Sequence, residues 1–204
     1  MIKRSLTSIV AAAAMSYQSG SVLGAQSAWF PVQADAIYQT GDSWRAEGVT
    51  YRLYGVQACL RGTSFTNIFG LKRDCGEASL TMLAALIRDL QPQCYAAAEQ
   101  PKAATVFVFC VATRLEGVGK GSRIDLGTAL IVLGFAFAAL TPDGRPVHAP
   151  YLEAQRRAQQ SQAGLWAFSD LPDPNAIILE TLRRSARAGA MTAPTTDPTT
   201  GDKP

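Results

Sequence analysis

The first 25 residues predict the compartment of this chain, and the compartment decides whether its four cysteines can pair. Lys3 and Arg4 precede an apolar stretch over residues 6–15, and small and polar residues follow as far as Ala25. This order is typical of a secretory signal peptide. We therefore interpret residues 1–25 as a signal peptide, with cleavage near residues 24–28. Export to a periplasm or to the medium is predicted, where disulfides persist.

Composition excludes several classes of protein. Of the 204 residues, 48% are hydrophobic and 17% are charged, which is unlike a disordered chain. The formal net charge is +3, and Lys3 and Arg4 supply two of those charges. The mature chain is therefore close to neutral, whereas a dedicated nucleic-acid binder concentrates Lys and Arg on one face.

Hydrophobic patterns predict strands and helices in alternation. Residues 50–56 and 105–111 are rich in β-branched and aromatic side chains and indicate strands. Residues 76–90 carry apolar side chains at helical spacing, and Pro92 should end that helix. The further expectations are a loop over 61–74, a buried core helix over 126–140, a polar helix over 151–163 closed by Gly164, and a final helix. Because the run 126–140 is shorter than about 20 residues, we expect no transmembrane span in the mature chain.

Five short motifs follow one another between residues 39 and 166. They are Thr40-Gly41-Asp42-Ser43, Arg52-Leu53-Tyr54-Gly55-Val56-Gln57-Ala58-Cys59-Leu60, Cys75-Gly76-Glu77-Ala78-Ser79, Asp125-Leu126 continuing to Gly134-Phe135-Ala136, and Glu153 with Gly164-Leu165-Trp166. In type and order they resemble the staphylococcal nuclease (thermonuclease) family, in its exported bacterial branch. The resemblance implies an α+β fold with a five-stranded OB-type β-barrel and about three helices over residues 26–180. Residues 186–204, rich in Ala, Thr and Pro, are expected to form a disordered tail.

The same resemblance implies a degenerate active site. The family hydrolyses phosphodiester bonds with calcium, using carboxylates, a glutamate that assists water, and two arginines. Asp42 and Arg52 match one carboxylate and one arginine, as vestigial candidates. The other matching positions carry different chemistry, namely Thr40 and Gln57 at metal-binding positions, Leu60 at the glutamate, and residues 101–105 at the turn with the second arginine.

Each of these residues also has a structural interpretation. Asp42 fits a turn residue, and Arg52 fits a solvated strand residue, a structural ion pair or a weak anion site. Substitutes for the missing site groups could come from residues nearby in the sequence, with Asp35 or Glu47 as a carboxylate and Arg114 as an arginine. His148 is the only histidine, so a catalytic pair built on it is not expected, and the pairs Arg156-Arg157 and Arg183-Arg184 are typical of solvated helix faces.

Four cysteines allow three pairings, and the sequence alone leaves them open. The family resemblance favours Cys94–Cys110 across a hairpin, with Cys59–Cys75 bracketing the segment before the first helix. Four free thiols would be expected only without export.

The resulting hypothesis is an exported, non-catalytic binding module of the cell envelope that needs no cofactor. Its partner would be an envelope protein or a secretion- or conjugation-type assembly. One alternative is an active calcium-dependent nuclease with displaced ligands, and another is a protein that binds single-stranded nucleic acid without cutting it.

Overall fold

A computed structural model describes residues 29–100, 104–113 and 120–191. The predicted signal peptide, Arg114, most of the turn before residue 105 and the last part of the predicted tail lie outside these ranges. The strands are β1 (Phe30–Pro31), β2 (Ile37–Thr40), β3 (Ser43–Ala46), β4 (Val49–Leu53), β5 (Val56–Ala58), β6 (Ser64–Thr66), β7 (Lys72–Asp74), β8 (Gln93–Gln100), β9 (Thr105–Thr113), β10 (Arg123–Asp125) and β11 (Ala136–Ala138). The α-helices are α1 (Cys75–Leu90), α2 (Leu126–Val132), α3 (Ala149–Gln160) and α4 (Pro174–Met191), with one 3-10 turn at Gly164–Ala167.

One curled, half-barrel sheet dominates the described chain, with strand order β1-β8-β9-β4-β3-β2 and β10 added to β9. The sheet curls around the long strand β9, which pairs with three other strands. One of its edges pairs with β8, while its other edge pairs in parallel with β4 and then antiparallel with β10. A register shift in β8 between Ala96 and Ala98 bends the same pair further. The α+β prediction is confirmed, with more strands than the five expected and four α-helices instead of about three.

Helix α1 forms where the apolar spacing predicts it. The Asp74 side chain accepts a hydrogen bond from the Glu77 N–H (2.9 Å), which caps the helix. Leu83 and Ile87 are buried against the sheet, and the helix ends at Gln91 in a left-handed conformation, one residue before Pro92.

The single core helix predicted over residues 126–140 is wrong in its second half. Helix α2 ends at Val132, Gly134 takes a positive φ of 78°, and the chain returns as strand β11 alongside β5. A short apolar run suits a buried strand as well as a buried helix, so periodicity does not separate the two. The left-handed Gly134 makes the turn possible.

Three other segments also differ from the expectations. Residues 61–74 contain the hairpin β6–β7 instead of a plain loop. Helix α3 begins two residues earlier than predicted and ends at Gln160, so that Gly164 opens the 3-10 turn and does not cap the helix. Helix α4 continues through the first six residues of the predicted tail, because alanine and arginine are good helix formers.

Both predicted disulfides are confirmed. Cys59–Cys75 joins the segment after β5 to the first residue of α1, and Cys94–Cys110 joins directly opposed residues of β8 and β9. All four cysteines are buried. Two disulfides fit a protein that resides outside a reducing cytosol.

The core consists of two buried clusters. The larger one lies between the curled sheet and α1, α2 and α3, around Trp44, Leu83 and Leu130. The smaller one surrounds the Cys59–Cys75 bridge, and there Trp166 packs edge-on against Phe137 at 5.0 Å between ring centroids. No helix in the described parts of the chain combines the length and the apolar character needed to cross a membrane.

Candidate functional site

A groove of about 460 Å³ lies where the turn between β2 and β3 meets β4, β5 and the start of β9. Six of the positions that the sequence analysis matched to the nuclease site line this groove: Thr40, Asp42, Arg52, Gln57, Leu60 and Thr105. Residues 101–103 of the matched turn lie outside the described residues. The fold therefore brings together residues that are up to 65 positions apart in the sequence.

The β2–β3 turn is held against helix α1, and this contact fixes Asp42. A Cβ on Gly41 would lie 2.3 Å from the Cβ of Ser79, so only glycine allows this approach. Ser79 is itself fully buried, accepting a hydrogen bond from the Cys59 N–H (3.2 Å) and donating one to the Phe135 carbonyl (2.6 Å). The turn carrying Asp42 thus packs on a residue of α1 that is itself hydrogen-bonded to the segment after β5 and to the segment before β11.

Arg52 lies on β4 and connects the β2–β3 turn to β5. Its Nε donates to Asp42 Oδ2 at 2.9 Å, and its Nη2 contacts Asp42 Oδ2 at 2.8 Å and Gln57 Oε1 at 3.0 Å. Gln57 is oriented in turn by donation from its Nε2 to the Ala58 carbonyl (2.8 Å). Arg52 therefore forms an ion pair with Asp42, as one of the interpretations considered from the sequence expects.

Both oxygens of the Asp42 carboxylate already accept hydrogen bonds. The carboxylate is 2% exposed; Oδ2 accepts from Arg52, and Oδ1 accepts from the Thr40 hydroxyl. Calcium takes six to eight oxygen ligands, with carboxylates prominent among them. Asp42 is the single carboxylate lining the groove, and the described residues contain no cluster of three His, Cys, Asp or Glu side chains able to hold a metal. These residues do not fit a calcium ion.

Apart from Asp42, Arg52 and Arg61, the groove wall is uncharged. Ser43, Thr50 and Thr105 add hydroxyl groups, while Leu60 and Phe107 add apolar surface. Ile178 of α4 also lines the groove, a contribution that the sequence analysis missed because no local pattern links α4 to the β2–β3 turn. Arg61 also lines the groove and pairs with Glu77 at 2.9 Å.

The other sequence candidates lie elsewhere. Asp35 and Glu47 are exposed and do not line the groove. His148 precedes α3, with its ring centroid 4.5 Å from that of Tyr151. The arginines predicted on helix faces are exposed, and Arg156, Arg157 and Arg184 pair with glutamates on their own helices.

Replacing Asp42 with alanine should destabilise the fold by about 2 kcal/mol, since it removes the charged acceptor of Arg52 and Thr40. The loss should be smaller than for a fully buried pair, because the Arg52 side chain is 37% exposed and can regain water. Thermal unfolding should show a fall in midpoint of roughly 4–8 °C. The matched control is Asp143→Ala, which breaks an exposed pair with Arg145 and should move the midpoint little. Equal midpoints for the two variants would contradict a structural role of the Asp42–Arg52 pair.

No protein-family model and no curated protein matches this sequence. The likeness to the staphylococcal nuclease family therefore stays a resemblance of motifs.

Proposed function

We propose that this protein is an exported, non-catalytic binding module of the bacterial cell envelope that uses an OB-type, nuclease-like scaffold. The groove around Arg52 is its binding site, and it acts without a cofactor. The observation that carries the proposal is the closed network of Thr40, Asp42, Arg52 and Gln57.

This network opposes hydrolysis in two ways. A metal would have to compete with Arg52 for Asp42, the one carboxylate that the described residues bring to the groove. The charge of Arg52 is already paired with Asp42, which weakens its attraction for a phosphate. Neither Gln57 nor Leu60 can accept a proton from water near neutral pH. A binding function does not require the network to open, because the hydrogen bonds among Thr40, Asp42, Arg52 and Gln57 can stay intact while a ligand occupies the groove.

The groove lining favours a polypeptide as ligand. A nucleic-acid backbone binds through several cations that face its phosphates. Here Arg52 is neutralised by Asp42 and Arg61 by Glu77, whereas hydroxyl and apolar side chains form the remaining wall. Such a mixed surface suits a segment of another envelope protein, for example a subunit of a secretion- or conjugation-type assembly.

A site-specific cross-linker tests this assignment in cells. A photoreactive residue at Leu60, inside the groove, should give a discrete cross-linked protein species from the envelope fraction. The same residue at Arg88, which lines a separate cavity beside β1, should not give that species. Identical products from both positions, or a cross-link to nucleic acid with salt-sensitive gel shifts, would contradict a protein-binding groove.

Catalytic silence is the matching expectation in vitro. The purified mature chain should not cleave denatured DNA or RNA with calcium above a buffer control, because losing even one electrostatic donor typically costs about a hundredfold or more in rate. The double variant Gln57→Asp/Leu60→Glu should bind calcium weakly, and it should do so even if it shows no nuclease activity. Cleavage by the unmodified protein that requires calcium and disappears in Arg52→Ala would establish the nuclease alternative instead.

A further inference from the structure

The β6–β7 hairpin ends in a group of apolar side chains that protrude into solvent. Ile68 is 83% exposed, Phe69 77% and Leu71 53%, all within the five-residue turn between the two strands. Single exposed apolar residues are ordinary on protein surfaces, but a compact group at the apex of a protrusion indicates a binding element.

The base of the hairpin is firmly attached to the rest of the fold. Phe65 is buried and stacks on Phe168 with ring centroids 4.6 Å apart. The Asp170 carboxylate accepts from the Thr66 N–H at 3.0 Å and from its hydroxyl at 2.7 Å, and these bonds lower the pKa of Asp170. The Cys59–Cys75 disulfide lies immediately after β7. The apex is therefore presented on a rigid support.

Most backbone N–H groups of the turn are hydrogen-bonded within the turn itself. The Asn67 N–H donates to the Leu71 carbonyl at 2.9 Å, and the Gly70 N–H donates to the Asn67 carbonyl at 2.9 Å. The Asn67 side-chain oxygen accepts from the N–H groups of Phe69 and Leu71, each at 3.0 Å. Four of the five turn residues thus have their N–H groups bonded inside the turn, which lowers the cost of moving it out of water.

Positive charge lies directly behind the apolar apex. Lys72 and Arg73 follow Leu71 and are exposed, and residues 64–73 contain no acidic side chain. Two carboxylates lie at the base of the hairpin: Asp74, which accepts from the N–H groups of Gly62 and Glu77, and Asp170, which accepts from Thr66. Apolar apex, cationic collar and hydrogen-bonded base therefore follow in that order along the hairpin.

We propose that this hairpin docks the protein on an anionic lipid membrane, with Ile68, Phe69 and Leu71 entering the boundary between headgroups and acyl chains. Lys72 and Arg73 then lie at the level of the lipid phosphates. The order of layers matches the depth profile of a bilayer surface. The inference goes beyond the proposed function and does not depend on it, because the hairpin apex and the Arg52 groove are separate surfaces.

A membrane fits this surface better than a second copy of the chain. An apolar apex on a narrow protrusion offers too little area for a stable dimer, which buries about 800 Å² on each partner. It also carries cations next to the apolar side chains, so two copies meeting apex to apex would bring like charges together. An anionic bilayer needs no matching cavity and complements both features.

Co-sedimentation with vesicles of phosphatidylglycerol and phosphatidylethanolamine tests the proposal on the purified mature chain. Binding is expected to these vesicles and to fall strongly on pure phosphatidylcholine. Phe69→Ser should weaken binding roughly tenfold or more, and Lys72→Gln about fivefold, since each basic residue near an anionic surface contributes about that factor. The matched control is Ile37→Ser on strand β2, which removes another exposed apolar side chain (68% exposed) and should leave binding unchanged.

A fluorescent variant reports insertion directly. Tryptophan at position 69, introduced as Phe69→Trp, should shift its emission to shorter wavelength on the anionic vesicles, whereas Ile37→Trp should not. Unfolding midpoints should be equal for all these variants, because the side chains concerned are exposed. The proposal is overturned by a folded protein that does not bind the anionic vesicles, by binding that is indifferent to Phe69 and Lys72, or by self-association that depends on Phe69 without vesicle binding.

Discussion

Replacement of Gly134 by alanine is expected to lower the free energy of unfolding by about 3 kcal/mol or more, a cost typical of overpacking combined with backbone strain. Gly134 has a φ of 78°, and a Cβ there would lie 2.0 Å from the Ala163 carbonyl oxygen and 2.6 Å from its carbon. Neither backbone atom can move easily, because the Leu165 N–H donates to the Gly134 carbonyl (3.1 Å) and keeps the two segments together. Thermal unfolding should show a midpoint lowered by roughly 6–12 °C.

A second glycine separates the steric effect from the backbone effect. Gly144 has a φ of 82°, but a Cβ added to it would meet nothing within 4 Å. Gly144→Ala should therefore cost only the left-handed penalty, about 1–2 kcal/mol. If Gly134→Ala were no worse than Gly144→Ala, the close crossing of residues 134 and 163 would not be a constraint on this fold.

Gly134 also explains where prediction from the sequence failed. Residues 126–140 contain no charged side chain, and their apolar character suits a buried helix and a buried strand equally. What decides between them is the contact of Gly134 with Ala163 and the pairing of β11 with β5. Both are long-range contacts, and no pattern within the segment reveals them.

Local signals were sufficient elsewhere. The apolar spacing in residues 76–90, together with Asp74 and Pro92 at the ends, specifies helix α1 almost residue by residue. The β-branched and aromatic run from residue 105 specifies β9, the strand around which the sheet curls. In these elements, residues within or next to the segment indicate the type and the approximate bounds of the element. Long-range contacts are therefore not needed to predict them.

The candidate site was predictable only in part. Motif resemblance selected Thr40, Asp42, Arg52 and Gln57 as matched positions, and they do line one groove. Which of them bond to one another follows from the register of β3 and β4, where Ser43 lies opposite Arg52. The contribution of Ile178 and the apex of the β6–β7 hairpin depend on tertiary placement, and the short strands of that hairpin resemble a loop in the sequence.

Loss of the Cys94–Cys110 disulfide should have an effect of similar size to the Gly134 substitution. The two cysteines are 16 positions apart, and releasing such a loop in the unfolded chain is expected to cost about 3 kcal/mol of stability. Both residues are fully buried, so the double variant Cys94→Ala/Cys110→Ala also loses packing between β8 and β9. Denaturant unfolding of this variant should show a lower midpoint with a similar or larger slope.

The second disulfide provides a matched comparison, because Cys59–Cys75 closes a loop with the same separation of 16. Chain entropy alone predicts equal losses of global stability for the two double variants. Their local effects should differ, since β8 and β9 remain hydrogen-bonded in register without their bridge, whereas the β6–β7 hairpin is only three residues long on each side. Hydrogen exchange should therefore accelerate in residues 64–74 of Cys59→Ala/Cys75→Ala and stay slow there in Cys94→Ala/Cys110→Ala. A loss below about 1 kcal/mol in either variant would contradict the loop-entropy account, and equal exchange in residues 64–74 would show that the first bridge does not hold the hairpin.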